Sequence, residues 1–370
     1  MGDDWWGHPS GPSPPSLGDR KGPRVSLTGF KGVLVRRRGC GRAGEPVNTS
    51  LGTFDYVHGD LSLPGRGVPL EVNRAYNSAD PSNDSPLGHG WSMGCNCHLD
   101  EEAYYAYDDT TGEADWETIW VTLVEGGAET MFTAEGDDLV PQKGCFDSLS
   151  RDGEDAFILT RKDHTVLHFE RAASKPAPNT TRYMLTSITD PNGNLTAFAY
   201  EGDKLETVTD PGGRTLAFTW EGGHITGVAD GTGRSISFAY DAGGDLTTFT
   251  DAKGGRTTYS YDPPHYLTRI IEPGGEVFLE NHYDQDLSTG DYPRVDWQKD
   301  GNGDLTTFSY DVEGRITTVE EPGHAEPRTH VYDGEYHLLE EISPEGHSTT
   351  YRVNPLKFCT FVPSKTWCLL

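Results

Sequence analysis

Residues 185–224 read LTSITDPNGNLTAFAYEGDK followed by LETVTDPGGRTLAFTWEGGH, two copies of one pattern of twenty residues. The same order of a turn, an alternating segment and an aromatic residue continues through residue 354. The aromatic position falls at Tyr200, Trp220, Tyr240, Tyr261, Tyr283, Tyr310, Tyr332 and Tyr351, with spacings of 19 to 27 residues. Eight occurrences at such regular spacing indicate a repeat array.

Each repeat predicts a β-hairpin. The Asp-Pro-Asn-Gly sequence at 190–193 is typical of a turn, because proline presets φ at its second position and glycine accepts a positive φ. Between turns the residues alternate, so that Thr196, Phe198 and Tyr200 share one strand face and smaller residues share the other. We therefore predict an all-β fold, a spiral of antiparallel hairpins whose aromatic faces stack into a continuous ladder.

Composition agrees with a chain rich in turns. The 370 residues include 45 Gly and 24 Pro, and the formal net charge is −28. Such a charge repels phosphate backbones and anionic lipid surfaces, which argues against nucleic-acid binding through a basic face and disfavours anionic membranes as partners. No apolar run is long enough for a membrane span, and the N-terminus lacks the pattern of a Sec signal peptide. Residues 1–43, which are basic and rich in Pro, Gly and Ser, predict a disordered leader.

A second group of motifs lies upstream of the repeats. It consists of GEPVN at 44–48, DLSLPGR at 60–66, RAYNS at 74–78 and LGHGW at 87–91. These motifs resemble the domain that opens the core of bacterial Rhs proteins. The Tyr-Asp pairs of the array, at 240–241, 261–262, 283–284, 310–311 and 332–333, resemble the YD repeats of the same family.

The resemblance divides the chain into five segments. They are a leader at 1–43, a core-opening β domain at 44–115, a segment of degenerate strands at 116–184, about eight YD repeats at 185–354, and an anomalous tail at 355–370. The tail loses the repeat pattern, and we interpret the chain as a truncated or frameshifted product. An array of this length would be an open segment of a shell, with an unpaired strand edge near 338–354.

The resemblance also implies a function. Rhs proteins and the animal teneurins build a hollow β-shell, which in bacterial members encloses a C-terminal toxin that acts in competition between bacteria. The implied partners are the rest of the shell, an enclosed toxin and a secretion machinery, and the implied location is secreted or at the cell surface. No catalytic residue, cofactor or metal is predicted, and the eight repeat aromatics are expected to be structural.

Two alternative functions remain open. The first is a binding module for carbohydrate or protein, with surface glycans as its partners. It would use exposed aromatic residues such as Trp116, Trp120 and Trp297. A hydrolase would use Ser92, which lies in a G-x-S-x-G pattern at 90–94. That pattern needs a strand before the serine and a helix after it, and the flanking sequences favour neither.

Three further clusters resemble metal sites only in part. Cys95, Cys97 and His98, with Cys145 as a distant fourth, have the wrong spacing for structural zinc. His164 and His168 are interpreted as residues of one strand, about 13 Å apart and too distant to share an ion. The segment 300–311 has acidic residues as in a calcium loop but lacks the glycine at its sixth position.

Overall fold

The computed structural model describes residues 41–107, 114–285, 292–353 and 359–361, and every regular element in these ranges is a β-strand. The predicted all-β class is confirmed. In the same ranges, no helix of the length and apolarity that a membrane crossing requires is found. Apart from one short ribbon, the strands form three units, which we call the opening sheet, the strand ring and the repeat sheet.

The opening sheet has the strand order β1-β2-β3-β4-β7. Its strands are β1 (Arg42–Ala43), β2 (Val47–Asn48), β3 (Thr53–Leu63), β4 (Leu70–Asn77) and β7 (Trp91–Met93). A separate ribbon of two short strands, β5 (Asp84–Ser85) and β6 (Gly88–His89), precedes β7. Because β1 pairs with β2, residues 42–43 are not part of a disordered leader as predicted, and residues 1–40 lie outside the described ranges.

The strand ring follows, and each of its strands pairs antiparallel with the next. Its strands are β8 (Cys97–Tyr107), β9 (Ala114–Glu125), β10 (Ala128–Glu135), β11 (Asp138–Pro141), β12 (Ser148–Arg151), β13 (Ala156–Thr160), β14 (Val166–Arg171) and β15 (Thr180–Thr189). Residues 180–184 of β15 pair back onto residues 98–102 of β8, which closes the ring. Arg182 and Asp100 reinforce this closure with two hydrogen bonds of 2.7 Å between guanidinium and carboxylate.

The repeat sheet starts on the second half of β15, where residues 187–189 pair with β16. Its strands are β16 (Leu195–Glu201), β17 (Lys204–Thr209), β18 (Thr215–Glu221), β19 (His224–Ala229), β20 (Ser235–Tyr240), β21 (Leu246–Thr250), β22 (Arg256–Asp262), β23 (Tyr266–Ile271), β24 (Val277–Asp284), β25 (Arg294–Asp300), β26 (Leu305–Asp311), β27 (Ile316–Glu320), β28 (Arg328–Tyr332), β29 (Leu338–Ile342), β30 (Ser348–Val353) and β31 (Cys359–Phe361). The boundary predicted between 184 and 185 therefore falls inside β15.

The predicted unpaired edge near 338–354 is wrong for the described residues. β30 pairs with β29 on one side and with β31 on the other, in a register that aligns Tyr351 with Phe361. Residues 359–361, assigned from sequence to an anomalous tail, thus form a strand of the repeat sheet.

The alternation predicted within each repeat is present. Thr196 and Phe198 are buried, whereas Leu195 is 49% exposed on the opposite face. The same arrangement recurs with Leu216 and Phe218 in β18. The core of the protein lies between this buried face of the repeat sheet and the opening sheet, which folds back over it.

Candidate functional site

The repeat aromatics bind the strand that precedes them in the sheet. The Tyr240 hydroxyl donates a hydrogen bond of 2.7 Å to the Ile225 carbonyl, and the Trp220 indole N–H donates one of 2.8 Å to the Leu205 carbonyl. The same contact, at 2.7–3.2 Å, joins Tyr200 to Leu185, Tyr261 to Leu246, Tyr283 to Leu267 and Tyr310 to Val295. Burial raises the pKa of Tyr240, which keeps its hydroxyl protonated as a donor.

A β-bulge explains why these carbonyls are available. In the hairpin of β18 and β19, Thr219 pairs with Gly227 but Trp220 pairs with Ile225, which leaves Thr226 as the extra residue. A bulge disrupts the ladder locally, so the carbonyl beside it needs another donor. The aromatic residue of the next repeat supplies that donor, here the Tyr240 hydroxyl.

The turn aspartates are used inside their own turns. Asp300 Oδ1 accepts hydrogen bonds of 2.9 Å from the backbone N–H groups of Asn302 and Asp304. These bonds lower the pKa of Asp300, the one from Asp304 most strongly. The carboxylate that resembled a calcium ligand is therefore committed to a turn of the Asx type. In the described ranges, no group of three or more His, Cys, Asp or Glu side chains is placed to hold a metal ion.

The opening sheet contacts the repeat sheet through interlocked aromatic side chains. Trp91 donates its indole N–H to the Tyr261 hydroxyl at 2.8 Å, and Tyr261 donates in turn to Leu246. Tyr76 accepts a hydrogen bond of 2.9 Å from the Leu267 backbone N–H. Trp91 and Tyr76 are each about 1% exposed, so these bonds are shielded from water. The repeat aromatic at 261 thus serves both its own sheet and the opening sheet.

Arg74 lies at the centre of this contact with its side chain fully buried. Its Nε donates to both carboxylate oxygens of Asp60, at 2.9 and 2.8 Å, and its Nη1 donates to the Tyr259 hydroxyl. The guanidinium carbon lies 4.0 Å from the centre of the Phe249 ring and 5.5 Å from that of Trp91. This arrangement compensates the buried charge by an ion pair and by ring faces.

Contacts at both ends extend the interface across most of the repeat sheet. At one end the Arg214 guanidinium donates to the Pro64 carbonyl at 3.0 Å. At the other end the Thr49 hydroxyl lies 2.5 Å from the Tyr332 hydroxyl and 2.7 Å from Nδ1 of His330. Burial lowers the pKa of His330 to about 4, so its imidazole is neutral at physiological pH.

Histidines meet where the β5–β6 ribbon touches the repeats. The imidazoles of His89 and His265 stack with their centres 3.7 Å apart, and Nδ1 of His265 lies 2.9 Å from Asp245. His224 forms the neighbouring contact, with Nε2 2.7 Å from Asp84 of β5. The ribbon therefore contacts the repeats at two positions, by a polar contact at His224 and by a ring stack at His265.

Sequence reasoning did not identify this interface, although one signal was present. The buried face of β4 is formed by residues 70, 72, 74 and 76, and Arg74 is the charged residue among them. A charged residue at a position that alternation places on the apolar face of a strand indicates a buried partner. The buried amide pair of Asn281 and Gln298, joined at 2.8 Å, also lies within its strands, β24 and β25, at buried positions.

The candidate nucleophile Ser92 lies in the middle of β7, and its hydroxyl is 3.4 Å from the Ala75 carbonyl. A nucleophile elbow places the serine between a strand and a helix. The described residues after Ser92 continue into β8 instead. The G-x-S-x-G pattern therefore does not form the geometry that a hydrolase would need.

The candidate zinc ligands are not brought together. Cys97 and His98 are neighbours on β8, so their side chains point to opposite faces. Burial raises the pKa of Cys95 to about 12, which opposes the thiolate form that binds zinc. His164 lies in a turn with φ of 68°, not on a strand as predicted, while His168 lies on β14.

The aromatic residues considered for a binding module are less accessible than expected. Trp120 and Trp297 are half-buried, and Trp297 stacks on His282 with the ring centres 5.4 Å apart. The side chain of Trp116 lies outside the described residues. The structure therefore offers no exposed tryptophan platform at the two positions it describes.

Comparison with known families adds two matches. Residues 44–114 match a family described as a domain of unknown function, DUF6531. Residues 184–215 and 240–277 match the RHS Repeat family. The two matches fall on the two regions whose motifs were singled out in the sequence.

Curated relatives include the tRNA nuclease WapA of Bacillus subtilis strain 168 and the tRNA3(Ser)-specific nuclease WapA of Bacillus spizizenii. Each is 29% identical over 155 residues, which is 42% of this chain and 6% of the relative. The chain therefore matches a small fraction of the length of these proteins.

Solved structures that resemble the chain include the Photorhabdus luminescens Tc holotoxin pore carrying a TccC3 mutation. That match has a TM-score of 0.35 and 12% identity, and covers 76% of this chain and 16% of the other. The N-terminal domain of the effector SpvB from Salmonella typhimurium strain LT2 matches with a TM-score of 0.27 and 14% identity. It covers 75% of this chain and 100% of the other.

Proposed function

We propose that this chain, which is an Rhs/YD-repeat protein, forms part of the wall of a β-shell that encloses a toxin polypeptide. The observation that carries the proposal is the use of the repeated side chains. Six of the eight repeat aromatics donate a hydrogen bond to a carbonyl of their own sheet. Groups that are repeated and used internally build a wall, whereas a binding array would direct them outward.

The opening sheet supports the same function. It covers the buried face of the repeats from Arg214 to Tyr332 and so holds several repeats in one fixed curvature. Repeat sheets otherwise contact only their neighbours and bend easily. A second layer fixed at both ends stiffens the wall.

We propose that the chemistry of the system belongs to the enclosed polypeptide and not to the residues of this wall. The curated relatives are named as nucleases, and the portion shared with this chain is 6% of their length. We propose that the shared portion is structural and that the chain acts without a catalytic residue or cofactor of its own. Export through a secretion machinery to the cell surface or medium, and a role in competition between bacteria, belong to the same proposal.

The proposal is tested by asking whether the chain protects an enclosed polypeptide from protease. The tagged chain, purified from the producing cells, is treated with protease before and after denaturation. We expect a second polypeptide that resists digestion in the native sample and is digested after denaturation, and we expect its release to inhibit bacterial growth. A second polypeptide that is digested equally fast in both samples, or none at all, contradicts enclosure.

A competition assay tests the biological role separately. A strain that lacks the gene is expected to lose its inhibition of a sensitive neighbour, and the intact gene is expected to restore it. Unchanged inhibition in the deletion strain contradicts the role in competition while leaving the wall architecture unaffected.

A further inference from the structure

A cavity of about 500 Å³ lies where the opening sheet, the strand ring and the repeat sheet meet. Its walls come from β3, β4 and β7, from the β9–β10 turn at Gly126 and Gly127, and from Phe278 of β24. Volumes of this size accommodate small ligands or a single long side chain. The cavity adjoins the aromatic interface described above, with which it shares Arg74 and Tyr76, and extends from there to the strand ring.

One carboxylate in this cavity lacks a full set of partners. Asp55 is 3% exposed, and its Oδ1 atom has no hydrogen-bond partner in the structure. Its Oδ2 atom is 3.4 Å from Nη2 of Arg42, a long contact to a side chain that is 42% exposed. A buried carboxylate oxygen without a donor is costly, and such groups in a cavity point to a ligand.

The charges around the cavity favour a cation. The charged or titratable residues of its lining are Arg42, Glu45, Asp55, Tyr56 and Arg74. Arg74 forms its ion pair with Asp60 outside the cavity, although its Nη2 atom has no hydrogen-bond partner, and Tyr56 is uncharged at neutral pH. With Asp55 ionised, two carboxylates therefore face one guanidinium, an excess of one negative charge.

The apolar part of the wall sets the shape of the ligand. The rings of Tyr56 and Phe278 lie with their centres 6.3 Å apart and provide apolar surface beside Asp55. A methylene chain packs on such rings, and an ammonium group at its end gains from their faces as well as from a carboxylate.

We propose that this cavity binds a primary ammonium group on an alkyl chain, with Asp55 as the anionic partner. The ligand is either a free polyamine or a lysine side chain of a partner polypeptide, which present the same chemistry. The ammonium pairs with the carboxylate of Asp55, and the methylene groups lie against Tyr56 and Phe278.

The fraction of cavities that hold the ammonium ligand depends on pH, because it depends on the ionisation of Asp55. Burial raises the pKa of this carboxyl to about 7, with Arg42 acting in the opposite direction. The ionised fraction of such a group rises about tenfold between pH 6 and pH 8. Because only the carboxylate attracts an ammonium group, ligand affinity rises by the same factor over this range.

Calorimetric titration of the full chain with cadaverine at pH 6 and pH 8 tests the proposal, with 1-hexanol as the neutral probe. N-acetyl-lysine methylamide is the second cation and represents a polypeptide side chain. The test variant is Asp55→Asn, which imitates the protonated carboxyl and is expected to fold. Glu71→Gln, on the exposed side of β4, is the matched control.

We expect cadaverine or the lysine derivative to bind about tenfold more tightly at pH 8, and Asp55→Asn to bind at least tenfold more weakly than the unchanged chain. The control is expected to bind as the unchanged chain does. The tighter of the two cations identifies a free polyamine or a polypeptide as the source. Equal affinity in Asp55→Asn, equal binding of hexanol, affinity independent of pH, or no binding of either cation would overturn the proposal.

Discussion

Replacing Arg74 by methionine removes the positive charge that is buried between the opening sheet and the repeat sheet. Arg74 binds both oxygens of Asp60 through Nε and donates to Tyr259 through Nη1. Methionine retains apolar contact with the Phe249 ring, which lies 4.0 Å from the guanidinium carbon. The substitution therefore tests the charge and its hydrogen bonds more than the packing.

The expected cost follows from what is left behind. The side chain of Asp60 is fully buried and would face an apolar residue. Removing one partner of a buried ion pair costs about 3–5 kcal/mol, because the remaining charge is uncompensated. His58 offers partial compensation, since its Nδ1 lies 2.8 Å from Asp60.

The measurement is equilibrium unfolding in urea, followed by tryptophan fluorescence and by far-UV circular dichroism. We expect Arg74→Met to lower the free energy of unfolding by about 3–5 kcal/mol at constant m-value. A double variant, Arg74→Met with Asp60→Leu, replaces both charges by apolar groups. Such replacements are often neutral, so the double variant is expected to recover most of the loss.

Two results would refute this reasoning. If Arg74→Met lowers the free energy of unfolding by less than about 1 kcal/mol, the pair contributes no more to stability than an exposed salt bridge does. A double variant at least as unstable as the sum of its single variants would show that the two residues do not interact as the structure indicates.

Three further substitutions probe other contacts. Tyr240→Phe leaves the Ile225 carbonyl without its donor and is expected to cost about 1–3 kcal/mol in urea unfolding, and an unchanged midpoint contradicts the bulge argument. Gly88→Ala is expected to loosen the β5–β6 ribbon, because a Cβ at its φ of 88° would lie 2.4 Å from the Gly244 carbonyl oxygen; hydrogen exchange that stays slow in the ribbon refutes this. His330 has a lowered pKa in the folded protein, so stability is lost as pH falls from about 6.5 to about 4, by up to roughly 3 kcal/mol. His330→Gln should show a smaller loss than the unchanged chain over that range, and equal losses would contradict the assignment.

The fold of single repeats is predictable because it depends on local chemistry. The alternation of Thr196, Phe198 and Tyr200 gives the buried face directly, and the Asp-Pro-Asn-Gly sequence at 190–193 gives the turn. What the pattern does not reveal is the bulge beside aromatics such as Trp220, Tyr240 and Tyr261, because a bulge is a shift in pairing register between two strands. The hydrogen bond from Tyr240 to Ile225, fifteen residues apart, becomes evident only with the ladder register.

The long-range arrangement could not be predicted for a different reason. Contacts such as Trp91 with Tyr261 and Thr49 with Tyr332 join residues 170 and 283 positions apart, and no local pattern specifies them. The same holds for the closure of the strand ring through β8 and β15, whose pairing residues are 82 apart at Asp100 and Arg182. Of the interface residues, Arg74 and His330 are titratable side chains on the buried faces of their strands and could have indicated buried partners.

The position of the opening sheet in the chain also determines how long it waits for its partner strands during synthesis. The sheet is complete once Met93 has left the ribosome, but Tyr332, which contacts Thr49, follows about 240 residues later. At roughly 5–20 residues per second, that interval lasts on the order of 10–50 s. Trp91 and Tyr76 face solvent or a chaperone for the first part of that time, until their partners Tyr261 and Leu267 follow about 170 residues after Met93. The face that later stiffens the wall is the part of the nascent chain that needs protection longest.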